Sequence, residues 1–460
     1  MRKQYACMTI PSWRSSIVEV NVQSKPIQKH PLRAGAAQVE ITPPPGIPLT
    51  GFIARLGPSS GIHDPLFARA LWLEAGDQSV LLIVCDLLAL EASFVAAARA
   101  AIRQATGLAE QNILIACTHT HSGPATIFLR DCGEVDAAYL ERLRLNLVDV
   151  AEKAAANLRP ARVGAGRGRV EQGALNRRRP GEAVDPDLDV ISFEGQAILV
   201  NYACHPVCLD HTNRLVSADY PGCLSRILQA QTGATTLFTT GAAGDINPDR
   251  MGDFAFAEAL GERLAAEAQR VLQGLEYHES VLLHCAAETL TLPLQPLPTP
   301  AELGGADHRS GQILTHRRQL SEAEAAGDVV QAKVQRAMLG WAEDTLAGAR
   351  RGDLPTTVQA EFQVIRLDNA ILLGVPGEIF SELGKAIKNQ AAPRQVTVLG
   401  YANNDIGYIP TRQAYAQGGY EIHEAFKFYD YPAALSPEAG DLAQECAARL
   451  IRAVSDEQAS

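Results

Sequence analysis

The chain has 460 residues, 47% hydrophobic and 20% charged, with a formal net charge of −11. That composition is able to bury a large globular core; no apolar run is long enough to span a bilayer, and basic clusters such as Arg177 to Arg179 are too short for a phosphate-backbone footprint. No nucleic-acid partner and no transmembrane segment are therefore expected. Nine scattered cysteines without a C-x-x-C pair fit reduced thiols. The N-terminus, Met-Arg-Lys and then QYACMTIPSW, lacks the apolar core of a secretory signal, so a cytoplasmic location is expected.

In chain order, residues 1–33 are mixed and aperiodic and read as a loosely attached tail. A single large domain is expected over 34–455. Within it, β-branched apolar runs of five to eight residues alternate with helix-like stretches, the pattern of an α/β fold: a mixed β-sheet core flanked by helices. The runs end at Asp86, His121, His205, Asp245, Glu378 and Asp405. Ligands in such folds collect beyond the carboxyl ends of strands, so the active site is expected there. Helical spacing over 91–105, 137–157, 254–273 and 439–454 predicts the covering layers. Residues 310–350 predict two helices joined around Ala326-Gly327, inserted between strands. No internal repeat is visible.

The chemistry gathers in three places. In CTHTHSGP, residues 117–124, an apolar strand runs into two histidines two positions apart. Strand alternation would put both imidazoles on one side with Cα atoms roughly 6–7 Å apart, one binding a metal and the other beside its open position. A second strand ends in Ala203-Cys204-His205-Pro206 and a third in Val375-Pro376-Gly377-Glu378. Imidazole and carboxylate are ligands that zinc favours. Taken singly, His205 also fits a hydrogen-bonded strand-end histidine and Glu378 a helix-initiating glutamate, and spacing alone does not assemble them.

From Ala34 to about Tyr431 the chain resembles the neutral/alkaline non-lysosomal ceramidase family. The matching stretches are AGAAQVEITPPPG (34–46), GIHDPLFARAL (61–71), CTHTHSGP (117–124), NRRRP (176–180), NYACHP (201–206), GAAGDINP (241–248), GVPGE (374–378) and YANNDIGYIPTRQAYAQGGYE (401–421), in the family's order. The resemblance implies a hydrolase with one zinc ion per chain, held by His119, His205, Glu378 and Tyr408. It places His121 beside the reacting centre for proton transfer or oxyanion stabilisation, and turns Arg177 towards the substrate. Asp245 joins them as an orienting group, with Asp219 the weaker candidate.

Two departures bear on the substrate. Where the family carries an essential serine in G-D-V-S-P, this chain reads Gly244-Asp245-Ile246-Asn247-Pro248. The Asn247 amide cannot attack a carbonyl, but its NH2 can donate to an oxyanion. The sequence also stops at Ser460, about 30 residues past the last match, so the β-sandwich domain of the long ceramidases is not expected. Three functions follow as expectations: hydrolysis of an amide in a lipid-like or smaller N-acyl substrate; hydrolysis of an ester, lactone or sugar-linked acyl group; or a metal-stabilised, non-catalytic binding protein.

Overall fold

A computed structural model describes residues 28–182, 184–304 and 311–455. Most of the segment read as a tail lies outside the described residues, but His30–Arg33 are not tail: they open the first strand, His30–Glu40, where Leu32 and Ala34 are buried.

The α/β fold repeats one order of elements three times. Three antiparallel strands come first, then a helix, a fourth strand parallel to the third, and a long covering helix. The first unit comprises strands His30–Glu40, Phe67–Ala75 and Gln78–Cys85, helix Ala92–Thr106, strand Ile113–Cys117 and helix Ala137–Ala156. The second comprises Val163–Arg169, Asp187–Phe193 and Ala197–Tyr202, helix Asp219–Thr232, strand Thr235–Thr240 and helix Phe254–Gln273. The third comprises Leu283–Pro293, Thr357–Leu367 and Ala370–Gly374, helix Ser381–Gln390, strand Gln395–Leu399 and helix Ala439–Ser455. The sheet core is thus three mixed sheets, each with its main strands in chain order. This repetition is of topology, carried by different side chains, which is why no sequence repeat announces it.

Local chemistry explains the shared order. The second and third strands of each unit are joined by tight turns in which Gly76, Gly195 and Asp368 hold φ of +64°, +66° and +54°, the left-handed values that short hairpins demand. The fourth strand can lie parallel only after a long crossover, which the helix provides.

Packing then binds the units together. Leu73 and Leu114 of the first sheet, Leu199 and Leu237 of the second, and Leu372 and Leu399 of the third share one central cluster, while each sheet packs its own helices on the other side. At roughly 1.5–3 kcal/mol for each fully buried leucine, that shared cluster is a strong reason for the sheets to meet.

Between strands Leu283–Pro293 and Thr357–Leu367 lie helices Gln312–Ala326 and Val329–Arg351. Gly327 caps the first at φ +70°, and the Asp328 side chain accepts from Gln331 N to start the second. Ala337 and Met338 of the second helix pack on Leu88 and Phe428, so this hairpin leans over the loop that follows the first unit's third strand. Among the described residues, no helix is long and apolar enough to cross a membrane.

Candidate metal centre

Each unit has one parallel pair among its main strands, and the carboxyl ends of all three pairs point into one space. Hydrogen bonds stitch those ends together: Cys117 N to Tyr401 O at 3.1 Å, Gly400 N to Thr240 O at 2.9 Å and Thr240 Oγ1 to Thr118 O at 2.7 Å. The first unit brings His119 and His121, the second His205, and the third Glu378 and Tyr408.

The histidine pair is not presented as expected. The strand stops at Cys117, and His119 turns the chain with φ +68°, a conformation costing a non-glycine residue about 1–2 kcal/mol. Strand alternation therefore does not align the two rings. Instead His119 is held by its N–H to Leu87 O at 2.8 Å and by the Tyr401 ring stacked on it at 3.7 Å, leaving the His119 and His121 ring centroids 4.8 Å apart, edge to face. Gly51 makes room for His121: a Cβ on it, at φ +94°, would lie 2.4 Å from His121 Nδ1.

Backbone carbonyls settle which nitrogen of each ring is free. Nδ1 of His119 faces Leu88 O at 2.9 Å, that of His121 faces Gly51 O at 3.1 Å, and that of His205 faces Ile246 O at 3.0 Å. A carbonyl only accepts, so each Nδ1 carries a proton and each Nε2 is the nitrogen turned towards the centre. One ring nitrogen from each histidine lies within 4.8 Å of the other two. Glu378 completes the set, with Oε2 at 2.9 Å from His205 Nε2 and 3.6 Å from His119 Nε2.

This donor set fits a divalent cation. Among the described residues, Nε2 of His119 and of His121 are buried without a hydrogen-bond partner, and His205 Nε2 faces a carboxylate oxygen. One proton could satisfy one of these contacts; a cation at the centre satisfies all of them. Burial pushes His119 down to about 3, against the pull of Glu378, and pushes His121 well below the usual histidine range, with His119 and His205 adding to it. Burial would raise Glu378, but the His205 hydrogen bond and the charges of His119 and His205 outweigh it and hold the carboxyl near 2. At neutral pH His119 and His121 thus offer lone pairs beside a carboxylate, the protonation states metal binding requires.

The family model for neutral/alkaline non-lysosomal ceramidases, N-terminal region, matches residues 32–259. The chain belongs to the neutral/alkaline non-lysosomal ceramidase family. It is 23% identical to the neutral ceramidase of Pseudomonas aeruginosa over 85% of this chain and 68% of that protein, and 24% identical to the neutral ceramidase of Mycobacterium tuberculosis over 79% and 69%. The crystal structure of the Pseudomonas aeruginosa neutral ceramidase shares the fold, with a TM-score of 0.70 at 21% identity over 93% of this chain and 75% of that one. A structure described as ceramidase complexed with C2 superposes at 0.69, with 19% identity over the same shares.

The remaining expected residues of this ceramidase-family chain fall on two sides of the cluster. Tyr408 is the register partner of Glu378 in a short parallel pairing, Glu378–Ile379 against Tyr408–Ile409. Its phenol oxygen accepts from Arg177 Nη2 at 2.9 Å. Burial raises the Tyr408 phenol well above its usual range, against the lowering influence of Arg177. Arg177 also reaches Glu421 through Nε at 2.9 Å, Gly244 O through Nη2 at 2.9 Å and Asn247 Oδ1 through Nη1 at 3.3 Å. Burial opposes the Arg177 charge, yet Tyr408 and Glu421 more than offset it and raise the group further. Arg177 thus ties together residues of the second and third units and is no solvated surface arginine.

Asp245 does not reach the histidines. Its oxygens accept from Asn176 Nδ2 at 2.7 Å, Ser381 N at 2.8 Å and Ser381 Oγ at 3.1 Å, so it braces the backbone behind the site. Two residues away, strand Ile246–Pro248 turns Asn247 towards Arg177. Gly244 is needed because a Cβ there would lie 2.3 Å from Glu378 O. Asp219, with φ +56°, accepts from Leu209 N and Tyr220 N and anchors the loop after His205; burial lifts its carboxyl to about 6, against those hydrogen bonds.

Two neighbours of the cluster were not singled out in the sequence. Tyr429 donates its hydroxyl to Glu378 Oε1 at 2.8 Å, with Asp405 Oδ2 3.3 Å away, and Tyr401 is the ring beneath His119. Tyr401 opens the stretch 401–421 that carries the family resemblance, yet nothing in the spacing of either tyrosine points at an imidazole or a carboxylate.

Proposed function

We propose that this chain is a zinc-dependent hydrolase that cleaves the amide bond of an N-acyl, ceramide-like compound. The observation that supports it best is the convergence of three carbonyl-oriented imidazoles and one ionised carboxylate on a single point. His119, His205, Glu378 and Tyr408 would hold the ion, with His121, the most accessible of the three histidines, at its open face. Zinc bound there would polarise the scissile carbonyl and bring the pKa of water down to about 7.

The chain's own groups manage the rest. His121, neutral at pH 7, accepts a proton at Nε2 and returns it to the leaving nitrogen. Arg177 holds the Asn247 carbonyl oxygen, so the Asn247 Nδ2 faces away from it as a donor for the oxyanion. Arg177 also fixes the Tyr408 phenol beside Glu378. Tyr429 pins one oxygen of Glu378, leaving the other for the ion. Replacing Tyr429 by phenylalanine is expected to weaken zinc binding roughly tenfold, measured by competition with a chelator, because an outer hydrogen bond that orients a ligand contributes about that much.

A second reading, cleavage of an ester, lactone or sugar-linked acyl group, is favoured by Asn247 at the place of the family's serine. Esters have better leaving groups and require less protonation of them. Zinc-loaded protein assayed on matched N-acyl and O-acyl compounds, with His119→Ala as control, decides between the readings. Amide turnover by the wild type alone is the expected result. Ester turnover without amide turnover would move the assignment to the second reading, and equal rates in wild type and control would end both.

A further inference from the structure

A pocket of about 770 Å³ lies between the first sheet and the helices Asp219–Thr232 and Phe254–Gln273. It is separate from the metal centre but adjoins it through Ser217, which lines the pocket and whose carbonyl accepts from Thr120 Oγ1, between the two histidines, at 2.8 Å. Phe67, Phe254, Ala230 and Ala257 give it apolar walls.

Two polar side chains of this pocket each keep one buried atom without a hydrogen-bond partner among the described residues. Gln38 and Arg69 are directly opposed across strands His30–Glu40 and Phe67–Ala75, so they stand side by side on one face of the sheet. Arg69 is only 4% exposed, yet among the described residues it gives a single hydrogen bond, Nη1 to Asp86 Oδ2 at 2.7 Å, and its Nε is buried with no partner. A guanidinium carries five N–H donors. The Oε1 of Gln38 is likewise buried and unpartnered.

The acidic groups around the pocket are already engaged. Asp64 accepts from Ser217 Oγ and Ala218 N, Asp219 from Leu209 N and Tyr220 N, and Glu258 pairs with Arg226. None is left to hold a cation. The charge of Arg69 is in turn matched by Asp86, so the pocket does not call for an anion. What it leaves unmet is one donor beside one acceptor against apolar walls, the pattern of a neutral amide: a carbonyl oxygen for Arg69 and an N–H for Gln38.

We propose that this pocket is a second ligand site, which binds an uncharged carboxamide carrying a short apolar chain. The probe is hexanamide, with hexanoate as the charged control, each titrated calorimetrically into the full chain, its Gln38→Leu variant and its Ala230→Phe variant. Gln38→Leu removes the acceptor; Ala230→Phe fills the pocket from an exposed helix position, and unchanged thermal unfolding confirms that both variants fold. Hexanamide should bind the wild type at least about tenfold more tightly than either variant, and at least about tenfold more tightly than hexanoate binds the wild type. Equal affinity in wild type and variants would place the amide elsewhere, the metal centre included, and overturn the proposal. So would absence of binding, or equal binding of hexanoate.

Discussion

Replacing His205 by alanine is expected to abolish zinc binding and hydrolysis together, and to cost the metal-free protein about 3–5 kcal/mol of stability. Glu378 is 3% exposed and stays ionised because His205 Nε2 lies 2.9 Å from it, with His119 behind. Removing His205 leaves a buried carboxylate with the Tyr429 hydroxyl and the more distant His119. The pH dependence carries the same signature. A carboxyl held near 2 in the fold, below its ordinary value of 4.5, contributes stability that is fully present above the ordinary value and lost as pH falls towards 2. In the variant that acid-labile share should shrink, so the two unfolding curves should approach each other at low pH. Chemical denaturation across pH 2 to 7, with zinc content by atomic absorption, reads both effects. A variant that retained stoichiometric zinc would remove His205 from the site.

Replacing Arg177 by methionine is expected to lower turnover about 10²–10³-fold and to weaken zinc binding by about tenfold at most, through the Tyr408 phenol that it orients. Arg177 touches none of the histidines; it holds Glu421, Gly244 O, Asn247 and Tyr408 with one fork of donors. Without it Asn247 loses the contact that aims its amide, and the Tyr408 phenol loses the cation beside it. Glu421 keeps Arg178 as its partner, so the fold should survive the change. Lysine at 177 restores the charge but not the planar fork, and should recover only a small part of the rate. Turnover and chelator-competition titrations on both variants test this. Loss of zinc in parallel with loss of rate would mean that Arg177 acts through the metal ligands rather than on the substrate side.

Much of the candidate site was legible because its residue types are unusual where they stand. His119, His205 and Glu378 each follow an apolar run, and strand ends facing a crevice are where such groups gather. The fourth, Tyr408, came only through the family motif, since a lone tyrosine among apolar neighbours reads as packing. Asp245 shows the opposite limit: it sits in a site motif, yet its carboxylate is turned to Asn176 and Ser381. Direction is set by a turn, and a turn's φ angles are only partly written in residue type.

By itself, the sequence determined the α/β class, the family, the residue types of the candidate metal centre and Asn247 in place of serine, because these depend on local periodicity or on residue identity. The tertiary structure alone decided that three units of one topology close around a shared leucine cluster and bring three chain-distant strand pairs to one point. It also decided which nitrogen of each histidine is free, through the carbonyls of Leu88, Gly51 and Ile246, and that Tyr429 grips Glu378. Those facts rest on contacts between distant segments, such as His205 and Glu378, 173 residues apart, and such contacts exist only once the hydrophobic effect has packed the sheets together.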